Sequence, residues 1–187
     1  MRFSVYIATS VDGFIARADG NVDWLQSYDN HDADMGKDAD MGFNKFIDSV
    51  DCMIMGRGCM EMISGFNLTP EQWPYRNIRV IVLSNTLREP PNNLKNRVEM
   101  YSGDILELAA SLESEGFQRV YVDGGKTIQS FLNLKLITDI SLTKIPVLLG
   151  EGIPLFGKTT QDIRLEKSEA VAFPNDCVQI HYQVSYL

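Results

Sequence analysis

The chain has 187 residues, 44% of them hydrophobic and 22% charged, with a formal net charge of −8. That size supports one domain with a full core, and the acidic balance, with no Lys/Arg cluster, excludes the basic footprint that nucleic acid or an anionic membrane needs. Cys52, Cys59 and Cys177 are odd in number and without paired spacing, which predicts free thiols and a cytoplasmic setting. MRFSVYIATSVDG alternates and then turns, unlike a secretory leader, and no run reaches the roughly 18 apolar residues of a membrane span.

In chain order, residues 2–8 (RFSVYIA) alternate and predict a strand, followed by the turn SVDG. A polar, acidic region then repeats DADMG at 32–36 and 38–42. A calcium loop starting at Asp32 needs glycine at its sixth position and glutamate at its twelfth; Lys37 and Phe43 stand there, so no metal is expected. A spacing of six also turns a helix by about 600°, so the two copies cannot share one acidic face.

Phe43, Phe46, Ile47 and Val50 fall on one helical stripe, and CMIMG (52–56) is a continuous apolar run expected to be a buried strand. A short helix should follow to Ile63, with Gly65 beyond it. RVIVLSN (79–85) predicts the next strand. Asp104 and Glu107 are spaced as a capping box ahead of Ile105, Leu108, Ala109 and Leu112, and Gly116 stops that helix. RVYVDGG (119–125) predicts a strand running into a helix that carries Ile128, Phe131 and Leu132. TDISLTKI, IRLEKSEAVAF and VQIHYQVSY complete the strands, the last two joined at Pro174-Asn175-Asp176. The alternation predicts one α/β domain over 1–187: a mixed, mostly parallel central sheet with helices on its faces and a C-terminal antiparallel hairpin.

Ligands of such sheets sit at the carboxyl ends of the parallel strands, here just after residues 56, 83 and 123. In MGRGCME, Gly56 permits a sharp turn into a helix start, and Arg57 offers a fork suited to phosphate, although Glu61 breaks the dinucleotide fingerprint G-x-G-x-x-G. VDGGKT is no P-loop, because Val120 replaces the required glycine; what survives is a glycine pair that lets a pyrophosphate approach the backbone. LSNT sets Ser84, Asn85 and Thr86 at a strand end, able to bond a ribose or simply to begin a turn. Three successive strand ends of this kind favour a nucleotide reader.

The ordered set YIATSVDGFIA, DGNVDWL, IMGRGCME, IVLSNT, YVDGGKTIQSFL, ISLTKI and PVLLGEGIPLF resembles the dihydrofolate reductase superfamily over nearly the whole chain. Within it, the similarity points to the reductase domain of bacterial riboflavin biosynthesis. The resemblance implies the three-layer fold of that superfamily and an NADPH-dependent reductase acting on a small molecule, as a homodimer. It places Arg57, Leu83, Ser84 and Asn85 at the adenosine 2′-phosphate. Gly56, Gly58, Cys59, Gly124, Gly125, Lys126 and Thr127 fall at the pyrophosphate, Ala8, Ile15 and Ala16 beside the nicotinamide, and Thr143 on the substrate side. Gly13 to Leu25 would be a mobile loop over the nicotinamide. Departures are Cys59 in place of a threonine, Asp123 where a third glycine is common, and Arg76, out of register with the arginine that grips a folate tail. The H-x-E and P-C-x-x-C of the deaminase often fused to this domain do not occur.

Hydride transfer asks mainly for juxtaposition, plus a proton for the substrate nitrogen or oxygen. Asp12, in the turn S-x-D-G, is the first candidate donor. Asp40 is the second, fifteen positions before Met55 as in bacterial dihydrofolate reductases, with Asn44 replacing the family phenylalanine; it is expected in the first turn of a helix. Asp23 reads as a loop or capping group, His31 and His181 as solvent-facing, and Met53, Met55, Met60 and Met62 as core filler. The chain thus reads as a reductase of a heterocyclic or ribosyl substrate, akin to 5-amino-6-(5-phosphoribosylamino)uracil reductase. A dihydrofolate or pterin reductase and a non-catalytic NADP-binding module are the alternatives.

Overall fold

The structure, a computed structural model, describes residues 1–26, 28 and 30–187. Its elements follow in the order β1 (Arg2–Ser10), β2 (Phe14–Ala16), α1 (Phe43–Ile47), β3 (Cys52–Gly56), α2 (Arg57–Gly65), β4 (Arg79–Leu83), β5 (Glu99–Tyr101), α3 (Ile105–Ser114), β6 (Arg119–Asp123), α4 (Gly125–Asn133), β7 (Ile137–Ile145), β8 (Ile153–Pro154), β9 (Ile163–Ala172) and β10 (Val178–Tyr186).

Among the described residues, eight strands form one sheet in the order β5-β4-β3-β6-β1-β7-β10-β9. β1 pairs in parallel with β6 and β7, and β3 in parallel with β4 and β6; β10 runs antiparallel to both β7 and β9. The fold is therefore the expected mixed, mostly parallel sheet with a C-terminal antiparallel hairpin. The short β2 and β8 pair separately, Phe14 with Pro154 and Ala16 with Ile153. They and the three-residue β5 are too short to leave a periodic signature, and the sequence reading missed them.

Continuous apolar runs make β3, β4 and β6 buried on both faces. On one face, Leu108 and Leu112 of α3 and Ile128, Phe131 and Leu132 of α4 pack on Val5, Ile54 and Val122. On the other, Phe46 and Ile47 of α1 and Met60 and Ile63 of α2 pack on Met53, Met55 and Tyr121. Each such side chain contributes about 1.5–3 kcal/mol when fully buried. A third cluster joins Trp24 to Ile145 and Cys177, so the 13–25 segment, expected to be a mobile loop, is anchored at a completely buried indole. The edge strand β9 carries Arg164, Glu166, Lys167 and Glu169. Its pairing with β10 slips between His181 and Gln183, where Lys167 takes a φ of 50°, and the charges and the bulge both discourage edge-to-edge pairing.

Four local expectations are corrected. α1 begins at Phe43 with Gly42 as its N-cap, so Asp40 precedes the helix and is not in its first turn. α2 runs through Gly65. Met62 faces the cleft described below, while Met53, Met55 and Met60 are core. His181 is half-buried, its Nδ1 2.9 Å from Ser141 Oγ.

Candidate active site

A cleft of about 1030 Å³ opens along the carboxyl ends of β1, β3, β4 and β6 and is flanked by β2 and β8. Ala8, Ile15, Ala16, Gly56, Arg57, Gly58, Cys59, Leu83, Ser84, Asn85, Gly124, Gly125, Lys126 and Thr127 all line it; Asp12, Asp40 and Thr143 do not.

Its middle is built by two helix starts. Glycines N-cap both α2 and α4, and no described side chain caps either. α3 differs: the Asp104 carboxylate accepts from Leu106 N at 2.7 Å and Glu107 N at 3.2 Å. The first-turn N–H groups of α2 and α4 are left to face the cleft, where they and the helix dipoles favour an anion. The glycines are sterically required. A Cβ on Gly124, whose φ is +93°, would lie 2.7 Å from Cys59 Sγ, and one on Gly56 would lie 2.8 Å from Thr127 Oγ1.

At the outer end, Arg57 Nε donates to Glu61 Oε1 at 2.7 Å, and Arg57 Nη1 donates to Thr86 Oγ1 at 3.0 Å. The Ser84 hydroxyl accepts from Thr86 N (3.3 Å) and Leu87 N (2.9 Å), so it closes a turn, while Asn85 is exposed. Tyr101, Gly103 and Ile105 border this end.

At the inner end, Tyr6 stacks on Phe46 with ring centroids 4.8 Å apart. Its hydroxyl donates to Met41 O at 2.6 Å and accepts from Gln179 Nε2 at 2.9 Å. The same amide nitrogen reaches Thr143 Oγ1 at 3.0 Å, and Thr143 is buried one step behind Ala8, its β1 partner. Tyr121 donates to Tyr6 O at 2.9 Å. Asp123, at the end of β6, lines this end with no ion pair among the described residues. Burial pushes its carboxyl up to about 6, partly opposed by the Gly124 amide. The Cys59 thiol is pushed up by its own burial and then by Asp123, which makes it an inert neighbour.

The two predicted proton donors are engaged elsewhere. Asp12 is exposed and accepts from Ser10 Oγ (2.6 Å), Leu149 N (3.2 Å) and Gly150 N (2.8 Å). Ser10 foremost, and the two amides, hold its carboxyl below the usual range. It pins the 148–150 loop to the β1–β2 turn and is not brought to the cleft. Asp40 accepts from Gly42 N at 3.1 Å and Asn44 N at 2.9 Å, which lower its pKa, the Asn44 amide most. Both DADMG copies make the same bond, since Asp34 Oδ1 accepts from Gly36 N at 3.0 Å; the repeat is a repeated turn. Asp23 forms an exposed bidentate pair with Arg17 at 2.7 and 3.1 Å. Arg76 pairs with Asp48 and lines a separate hollow with Trp73 and Arg97. No group of three His, Cys, Asp or Glu among the described residues is placed to hold a metal.

Sequence reasoning did not single out Tyr6, Phe43, Glu61 and Tyr121, which line the cleft, or Gln179 behind the Tyr6 hydroxyl, and took Asp123 only as a departure. Tyr6 had a findable signal, lying two positions before Ala8 and so on the same face of β1. Gln179 had none, because antiparallel pairing brings it opposite Thr143 from 36 residues further along the chain.

The sequence profile of the RibD C-terminal domain matches residues 4–179. A curated relative, the uncharacterized protein YwjB of Bacillus subtilis (strain 168), is 31% identical over 95% of each chain. A crystal structure of a putative riboflavin biosynthesis protein from Shewanella sp. PV-4 is 37% identical, covers all of both chains and superposes with a TM-score of 0.85. A dihydrofolate reductase from Enterococcus faecalis complexed with NADP(H) shares the fold at 16% identity and a TM-score of 0.63, over 99% of this chain and 97% of that one.

Proposed function

The chain belongs to the RibD C-terminal domain family, and on that premise we propose that it is a reductase using NADPH to reduce a heterocyclic or ribosyl small molecule. The observation that carries this reading is the position of Asp123. It is a carboxyl with a pKa near 6, at the inner end of a cleft whose middle is two uncapped helix starts. Bound NADPH would supply a hydride to an electrophilic C=N or C=O carbon of the substrate.

The residues fit that cofactor. The N–H groups at the starts of α2 and α4 suit a pyrophosphate, and Gly56 and Gly124 let the two helix starts pack close together, since a Cβ there would meet Thr127 Oγ1 or Cys59 Sγ. Arg57, Thr86 and Asn85 would meet the adenosine ribose end. Ala8, Ile15 and Ala16 form an apolar wall suited to one face of a flat ring. Asp123 would then donate the proton that the reduced nitrogen or oxygen takes up, since a carboxyl titrating near 6 retains a protonated fraction near neutral pH. Tyr6, held by Met41 O and Gln179, would orient the substrate ring, with Thr143 fixing Gln179. Asp12 and Asp40 are positioning residues in this reading, each shaping the loop that borders the cleft.

We also propose that two copies associate through the 147–156 loop, on which Leu148 is 71% and Phe156 44% exposed; light scattering on the purified protein tests this. The three free cysteines fit the expected reducing compartment. The functional reading is tested by titrating the protein with NADPH and then screening pyrimidine, pterin and ribosylamine substrates for loss of nicotinamide absorbance. Turnover of a pyrimidine supports the reading, turnover of pterins alone replaces it with the dihydrofolate-type activity, and binding without any turnover replaces it with a binding module.

A further inference from the structure

Arg57 and Glu61 sit one helical turn apart on α2, and both line the outer end of the cleft. The arginine expected to grip a 2′-phosphate already donates its Nε to the Glu61 carboxylate at 2.7 Å and one Nη to Thr86 Oγ1 at 3.0 Å. The two side chains are equally accessible, each 46% exposed, so the pair faces any group bound beside it. The other charged side chains among the described lining residues, Asp123 and Lys126, belong to the β6–α4 junction. The outer end therefore presents a neutralised arginine. Ser84, whose oxygen accepts from two backbone amides, has only its neutral O–H left to donate and brings no charge to offset this.

These groups bear unequally on the two nicotinamide dinucleotides. A guanidinium favours a 2′-phosphate, whereas a carboxylate at the same place repels the phosphate and can accept a hydrogen bond from a free 2′-hydroxyl. We propose that Glu61 is a specificity-determining residue, which lowers the discrimination of this site between NADPH and NADH by holding Arg57 and placing a negative charge beside the 2′ position. The inference rests on the cofactor reading above and goes beyond it: the cleft accepts both nucleotides, and its preference for NADPH is smaller than an unopposed Arg57 would give.

Glu61→Gln removes the charge and keeps an oxygen for Arg57 Nε, so the arginine stays in place. For exposed charges a few ångströms apart, partly screened by salt, the ratio Kd(NADH)/Kd(NADPH) should rise roughly three- to tenfold, chiefly by tighter NADPH binding. Glu61→Lys should raise it further, and Arg57→Gln should bring it to about one or below. The measurement is titration of nicotinamide fluorescence with each nucleotide in wild type and the three variants at one ionic strength. A graded rise through wild type, Glu61→Gln and Glu61→Lys supports the proposal. Binding of both nucleotides with a ratio indifferent to residue 61, or a wild-type preference beyond about a hundredfold, overturns it while leaving the cofactor reading intact. If neither nucleotide binds any of the four proteins, the cofactor reading falls and takes this inference with it.

Discussion

The two ends of the cleft are made of different materials. The middle and outer end are backbone and helix starts: glycines at 56 and 124, open N–H groups and one arginine, drawn from the two strand–helix junctions β3–α2 and β6–α4 and bordered by the turn after β4. The inner end is side chains: Tyr6 and Asp123 from two neighbouring parallel strands, braced by Thr143 and Gln179 from two more. The first construction suits a common cofactor part that every homologous reductase must hold. The second suits a particular substrate, because each of its members can change without disturbing a helix start. Substitutions at the inner end should therefore act on turnover, and those at the outer end on nucleotide affinity.

The largest expected effect is at the inner end. Asp123→Asn removes the proposed proton donor and should lower kcat about 10²–10³-fold while leaving NADPH affinity within about twofold. Its pH behaviour sharpens the test. The wild-type rate should fall as pH rises through about 6, where Asp123 loses its proton, and the variant should lose that limb. The stability sign is fixed by the same shift. A carboxyl raised on folding favours the folded state at low pH, and that contribution is lost as pH rises from its ordinary value through about 6. Asp123→Asn should accordingly be more stable than wild type near pH 7, by about 1–2 kcal/mol after allowance for its partial exposure. Denaturant melts at pH 4 and pH 7 read this directly.

Next is Gly124→Ala, at the outer construction. It forces a side chain onto Cys59 Sγ in a left-handed conformation, and should weaken NADPH at least about tenfold with a loss of stability of about 1–3 kcal/mol. Turnover at saturating NADPH should change much less than in Asp123→Asn. A variant that loses kcat without losing affinity would erase the proposed division between the two ends.

Gln179→Leu should have an intermediate effect, raising substrate KM roughly three- to tenfold with nucleotide affinity unchanged, because it unties the Tyr6 hydroxyl from Thr143. Asp12→Asn should be smallest in turnover. It loosens the 148–150 loop, and the stability it removes is present above the ordinary carboxylate range and lost as pH falls through the lowered folded value. Its melting difference from wild type should therefore shrink in acid. A loss of turnover matching Asp123→Asn would return Asp12 to the proton-donor role.

The same contrast explains what the sequence could tell. The strands β1, β3, β4 and β6 and the glycine turns after them were legible because each is a local pattern, an apolar run ending in residues that need small side chains or left-handed backbone. Asp12 and Asp40 were legible only as turn aspartates, because such a turn carries the same local signature whether its carboxylate is free for chemistry or bonded to backbone amides. The DADMG repeat belongs to this class: one turn made twice, with only the second copy also bonding the backbone of α1. Asp123 looked merely unfavourable beside a pyrophosphate; strand alternation sets it on the face of Tyr121, but nothing local reveals the Cys59 thiol near it.

The central claim, that open helix starts at the middle of this cleft hold a nicotinamide dinucleotide, is tested most directly by fluorescence titration of wild type and Gly124→Ala with NADPH. Saturable one-site binding that the alanine weakens at least about tenfold is the predicted result. Absence of saturation up to millimolar NADPH, or binding indifferent to residue 124 in a folded variant, would contradict it.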